Sequence, residues 1–136
     1  MIAFTDLLFP YSAETHGVIV RVSVSFLADQ SQPERGRWFW AYHIRIENTS
    51  DVEVQLLTRR WIITDGHGAR HRVEGEGVVG AQPLLSPGES YDYVSGCPLD
   101  TPTGAMEGSY RMVTANGETF DARIPRFSLV GPAVAD

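Results

Sequence analysis

Trp38-Phe39-Trp40-Ala41-Tyr42-His43-Ile44-Arg45-Ile46-Glu47-Asn48 is the stretch that decides the fold. Its even positions Trp38, Trp40, Tyr42, Ile44 and Ile46 are large and apolar, and they alternate with Phe39, Ala41, His43, Arg45 and Glu47. Successive side chains of a strand point to opposite faces, so a period of two puts one face in a core. A helix would scatter the same residues around its circumference. Upstream, Val18, Val20, Val22, Val24 and Phe26 repeat the parity, with Arg21, Ser23 and Ser25 between them. Downstream of the turn-like Asn48-Thr49-Ser50-Asp51 the pattern breaks, because Val52, Val54 and Leu56 are even while Trp61 and Ile63 are odd. The inward parity therefore changes between Leu57 and Arg60, which predicts a β-bulge or a strand that switches sheets.

Turn signals divide the rest. Thr64-Asp65-Gly66-His67-Gly68 predicts a hairpin, since Asp-Gly readily supplies positive φ, with a returning strand over about Arg70 to Val73. Ser86-Pro87-Gly88-Glu89 has proline second and glycine third in a turn, and Tyr91, Tyr93 and Ser95 then share one face of a strand. Ser109 to Thr114, an Asn116-Gly117 turn of type I′ and Thr119 to Ile124 form the last hairpin. Pro125 suits an edge or a break, with pairing resumed over Phe127-Ser128-Leu129-Val130. About seven or eight short strands and no helix of three turns point to an all-β, antiparallel β-sandwich, with a small barrel as the rival. Trp38, Trp40 and Trp61 belong in or over its core. Residues 1–16 read as an N-terminal lead-in and residues 17–136 as one sandwich domain.

The composition bounds the function. The chain has 136 residues, 43% of them hydrophobic and 21% charged, enough to bury a core. No apolar run reaches the roughly 18 to 20 residues of a membrane helix, and Met1-Ile2-Ala3-Phe4-Thr5-Asp6 lacks the basic start of a signal peptide. The expected address is cytoplasmic, without direct membrane insertion. A lone cysteine, Cys97, suits a reducing compartment and rules out an intramolecular disulfide. A formal charge of −6 opposes binding to nucleic acid, whose recognition needs a basic footprint.

Several residue groups invite a chemical reading. Gly75-Glu76-Gly77-Val78-Val79-Gly80 matches G-x-G-x-x-G, whose glycines let backbone amides approach a pyrophosphate at the start of a helix. Here Pro83 and Pro87 forbid the helix, and Glu74 and Glu76 put negative charge where the phosphate would sit. Asp65, His67 and His71 form a weak candidate set for a divalent cation, magnesium or cobalt, if the hairpin gathers them; otherwise no cofactor is expected. Cys97 has no evident base to make it a thiolate, and no serine stands in a nucleophile elbow. No catalytic constellation assembles from spacing, so the expectation is a protein that is not an enzyme. Phe39 on the polar parity, with Tyr91 and Tyr93, indicates either an aromatic recognition surface or a sheet covered on both faces.

The Trp38 to Asn48 stretch resembles the ApaG family (DUF525). So do Val54-Gln55-Leu56-Leu57-Thr58-Arg59-Arg60-Trp61-Ile62-Ile63-Thr64-Asp65-Gly66, the run from Val73 to Glu89, Tyr93-Val94-Ser95-Gly96 and Gly104-Ala105-Met106-Glu107-Gly108-Ser109-Tyr110. The resemblance runs from about Val20 to about Leu129 and implies a fibronectin type III-like sandwich. It also implies an association with cobalt and magnesium efflux or resistance in bacteria, and a protein-interaction role for related domains in eukaryotic F-box and polymerase-interacting proteins. Under it, Gly75, Gly77 and Gly80 are the residues of a suggested pyrophosphate-binding motif. The leading expectation is a binding module that contacts an unidentified protein partner through the Gly75–Gly80 loop and its neighbours Trp61, Gln82 and Tyr93. The alternative is a small-ligand sensor taking a nucleotide, pyrophosphate or cation at the Gly-rich loop. Strand edges also permit a homodimer.

Overall fold

The computed structural model describes residues 7–132. Nine strands follow one another: β1 (Tyr11–Thr15), β2 (Val18–Phe26), β3 (Trp38–Asn48), β4 (Val54–Asp65), β5 (Arg70–Glu76), β6 (Leu84–Leu85), β7 (Ser90–Leu99), β8 (Thr103–Thr114) and β9 (Thr119–Val130). Two antiparallel sheets face each other, one in the order β1-β2-β3-β7, the other β5-β4-β8-β9 with β6 also on β4. The result is a sandwich and not a closed barrel. Strand β1 comes from the stretch read as a lead-in; Tyr11 to Thr15 pair with Val22 to Val18. Residues 1–6 of that lead-in lie outside the described residues.

The alternation read from the sequence is the alternation of burial. Val18, Val20 and Val22 from β2 and Trp38, Trp40, Tyr42, Ile44 and Ile46 from β3 enter one core. Trp61, Tyr110, Met112, Ile124, Phe127 and Leu129 enter it from the second sheet. Each such side chain removed from water contributes about 1.5–3 kcal/mol. Aromatic rings meet edge-on or tilted at the centre, Trp61 with Tyr42 at 5.4 Å and with Phe127 at 6.0 Å between centroids. Asn48, the one polar residue on the inward parity of β3, is buried and satisfied. Its Nδ2 donates to Val52 O and Leu85 O, and its Oδ1 accepts from Ser50. It thereby ties the first sheet to the crossing into the second.

Both parity changes in the second sheet are bulges. In β4 the register against β8 shifts between Leu56 and Thr58, as the sequence predicts, and Leu57 is the extra residue. In β9, Phe127 faces Met106 and Ile124 faces Gly108, so Pro125 and Arg126 together oppose Glu107. Pro125 thus sits at a bulge in an edge strand, which needs no donor there, and β9 runs through it without ending. The returning strand of the first hairpin is longer than expected, reaching Glu76, because Gly75 continues the ladder opposite Arg59.

The last hairpin corrects the expectation of a type I′ turn. That type needs positive φ at both central residues, yet only Gly117 has it, at 85°. Gly117 N–H donates to Thr114 O and Thr114 N–H to Glu118 O, which makes a three-residue loop closed by a left-handed glycine. The first hairpin repeats the device with Gly68 at 87°, Gly68 N–H donating to Asp65 O and Asp65 N–H to Ala69 O.

On the outer face of the first sheet, Phe9 is buried and its ring meets His43 edge-on at 5.0 Å. Phe39 lies over Gly96, where any Cβ would come within 2.5 Å of its ring. The outer face of β3 is therefore half-covered along this stretch, while its inner face is fully buried.

Candidate functional site

The two flanks of the sandwich differ. On one, β9 packs against β1 and β2, and Arg123 N–H donates to Thr15 Oγ1 at 3.1 Å. On the other, β5 and β7 are the edge strands of their sheets, and a cleft of about 970 Å³ opens between them. Tyr42, Trp61 and Tyr93 form its floor, and Val73 and Val79 its apolar rim. Register explains the lining: Arg59, Trp61 and Ile63 on β4 pair with Gly75, Val73 and His71 on β5, all on the face turned toward the first sheet.

Arg59 belongs to that inward set because of the bulge. Before Leu57 the even positions of β4 face in; after it the odd positions do, and an arginine is carried onto the core side. Its half-buried guanidinium lies over Gly75, where an added Cβ would come within 2.8 Å of Nη2. Nη1 donates to Glu76 O at 2.9 Å and to Gly77 O at 3.1 Å. Among the described residues Nε and Nη2 donate to no protein group, and no carboxylate pairs with the cation. The charge is turned toward the tyrosine hydroxyls of the cleft. Burial pushes Tyr42, Tyr93 and Tyr110 above the usual phenol range, while Arg59 works against that rise at all three. Tyr93 and Tyr110 share a hydroxyl–hydroxyl hydrogen bond beside it.

The Gly-rich loop has the opposite polarity to a phosphate cradle. Gly77 N–H donates to Leu57 O, and Val78 and Ala81 exchange both backbone bonds around Val79-Gly80. Val79 and Gly80 both have positive φ, 47° and 79°, so a type I′ turn stands here rather than at Asn116-Gly117. The carbonyls of Glu76 and Gly77 face the guanidinium, and no helix follows. Gly77 is required for space as well as for its φ of 62°, because a Cβ would approach Ala81 O to 2.3 Å. Gln82 Nε2 also donates to Leu57 O, at 2.9 Å. Leu57, the bulged residue, has its carbonyl held from two sides by the loop.

The structure thus brings Trp61 and Tyr93 together as cleft floor, and places Gly75, Gly77 and Gln82 behind them as the support of Arg59 and its bulge. Gly80 stands apart, at the tip of the turn with open space around it. Apolar alternation alone does not mark Arg59; its odd number, two before Trp61, is the signal in the sequence that places it inward. Asp65 and His71 approach to 4.0 Å at the cleft's other end, but Asp65 Oδ1 accepts from the amides of His67 and Ala69 and caps the hairpin loop. No three His, Cys, Asp or Glu side chains come together to hold a metal among the described residues. Cys97 lines the cleft as a buried thiol, pushed up to about 11 by desolvation. No helix among the described residues is long and apolar enough to cross a membrane.

The family model for the ApaG domain (DUF525) matches residues 28–114, a span that holds β3 to β8 and the whole cleft. Protein ApaG of Methylobacterium sp. (strain 4-46) is 53% identical over 124 residues, 91% of this chain and 95% of that protein. Protein ApaG of Rhodospirillum centenum is 56% identical over 122 residues, 90% of this chain and 94% of that one. A crystal structure from Bordetella pertussis, described as an ApaA protein, has a TM-score of 0.84 at 43% identity, covering 89% of this chain and 98% of its own. Sequence match, fold and site-bearing segments coincide along nearly the whole length, and the chain belongs to the ApaG family.

Proposed function

We propose that the protein is a non-enzymatic binding module that takes an extended segment of a protein partner into the cleft between β5 and β7. One observation carries this reading: the cleft lies between two strand edges, each paired on one side only, over a floor of Tyr42, Trp61 and Tyr93. An extended peptide satisfies such an edge with its main chain and offers alternate side chains to the floor. Aromatic floors of this kind supply much of the binding energy at protein contacts. A bearing on cobalt or magnesium homeostasis, which the family resemblance implies, then runs through the partner. The small-ligand reading at the Gly-rich loop has less support, because the loop turns carbonyls and not amides toward its one cation.

The test is selection of a random-peptide display library on the folded protein, followed by amide NMR titration with the enriched peptides. Saturable shifts concentrated in Ser90–Leu99 and Arg70–Glu76 are expected. Peptides that map instead to the outer sheet faces, or no enrichment, overturn the reading.

A further inference from the structure

We propose that Arg59 anchors a C-terminal carboxylate: the segment that enters the cleft is the extended C-terminus of a partner protein, seated on Nε and Nη2 of Arg59. The last side chain of that partner, apolar or aromatic, lies against Trp61 and Tyr93. The inference rests on the peptide-binding reading above and names the chemistry of the peptide.

Three observations converge on it. The guanidinium is on the inner face of β4, spends only Nη1 on protein carbonyls and, among the described residues, has no carboxylate partner. Nε and Nη2 are the adjacent donors that a carboxylate meets side-on with both oxygens, and such charge-assisted pairs are the strong ones. Second, the cleft stops at Arg59. Beyond it Leu56, Val78 and Leu85 fill the space between the sheets as core, and the loop is pinned across by Gly77 N–H to Leu57 O. A chain that runs along the cleft toward Arg59 has nowhere to continue, so the negative group it brings is its end and not an internal Asp or Glu.

Third, the direction is favourable. Strand β7 runs away from that end, from Tyr93 beside Arg59 toward Leu99, so a peptide ending at Arg59 adds to β7 in the antiparallel sense. Antiparallel ladders are slightly the more stable per residue. Val79, exposed at the rim, offers an apolar contact to the terminal side chain. The far mouth holds Arg35 and Arg37 but also Asp65 and Asp100, so it selects no charge upstream.

The experiment uses the full chain and two pools of heptapeptides ending in Phe, Leu or Trp, identical except that one has free C-terminal carboxylates and the other C-terminal amides. The free-acid pool is expected to shift the Arg59 Nε–H resonance together with the Tyr93 and Ser95 amides. The amidated pool is expected to bind roughly 10- to 100-fold more weakly, the loss of a charge-assisted bidentate pair. Arg59→Lys, which keeps the charge and loses the fork, is expected to bring the affinities of the two pools closer together, with the Tyr93 and Ser95 amides still shifting on binding. Equal binding of both pools in the cleft overturns the carboxylate anchor and leaves the peptide reading standing. No shift from either pool at millimolar concentration overturns both. Acetate or inorganic pyrophosphate shifting Arg59 as strongly as the peptides also overturns the anchor, since the site then holds a free anion.

Discussion

The second sheet contains two bulges that do the same thing to opposite effect. In β9 the pair Pro125-Arg126 changes the inward parity between Ile124 and Phe127, and every residue on the core side stays apolar; Arg126 is left outside, paired with Glu107. In β4 the bulge at Leu57 changes the parity between Leu56 and Arg59, and the first inward residue after it is charged. One bulge serves packing, since it delivers Phe127 against Tyr11, Tyr42 and Trp61. The other sacrifices packing to place a cation beside a cleft. Bulges that re-aim a side chain are over-represented next to functional sites, and under the proposed function the β4 bulge is of that kind.

The comparison can be broken at four points, taken from the largest effect down. Phe127→Ala removes the side chain that the β9 bulge delivers to the core and is expected to cost about 3–5 kcal/mol, read by denaturant unfolding. A cost near zero there would mean that the β9 bulge does not serve packing. Gly77→Ala places a Cβ against Ala81 O in a left-handed backbone and is expected to cost about 2–3 kcal/mol by the same assay. Retained stability with an unmoved Arg59 Nε–H resonance would show that the loop is not what supports the β4 bulge. Arg59→Leu is the sharpest test. It replaces a cation that no carboxylate pairs with among the described residues by an apolar side chain, so stability is expected to stay within about 1 kcal/mol or to rise, while free-acid peptides lose their roughly 10- to 100-fold advantage over amidated ones. An unfolded Arg59→Leu protein would make Arg59 a structural residue and erase the contrast. Arg126→Ala, on the outer face, is expected to change unfolding free energy by no more than about 0.5 kcal/mol, as exposed ion pairs do.

The strands that face one core were legible because alternation is a local property. Val18 to Phe26 and Trp38 to Asn48 carry it in sequence order, and the parity change near Leu57 is carried there as well. What the change does was not visible, because attention to apolar residues passes over an arginine on the new inward parity. The Gly75–Gly80 motif was legible as a place where backbones come close. Its polarity was not, since identical glycines can present amides or carbonyls, and only the partner across the sheet, Arg59, decides which. Asn116-Gly117 was read as a two-residue turn because the dipeptide favours one, but the ladder closes one residue wider, from Thr114 to Glu118. Strand β1 escaped because Tyr11-Ser12-Ala13-Glu14-Thr15 is short and only weakly apolar; β2 and β9 specify it by contact.

The order of strands in the first sheet has a consequence for the nascent chain. β3 turns Trp38, Trp40, Tyr42, Ile44 and Ile46 into the core, yet its second neighbour is β7, whose pairing runs from Trp38↔Leu99 to Glu47↔Ser90. At synthesis rates of about 5–20 residues per second, several seconds separate the appearance of β3 from that of its partner. Through that interval the edge of β3 that β7 will cover stands open, with Trp38, Trp40 and Tyr42 not yet enclosed by the second sheet. Slow translation through the segment from Asn48 to Leu99 therefore lengthens the period in which this chain is vulnerable to strand-to-strand aggregation, whereas a chaperone that shields β3 for those seconds protects the whole fold.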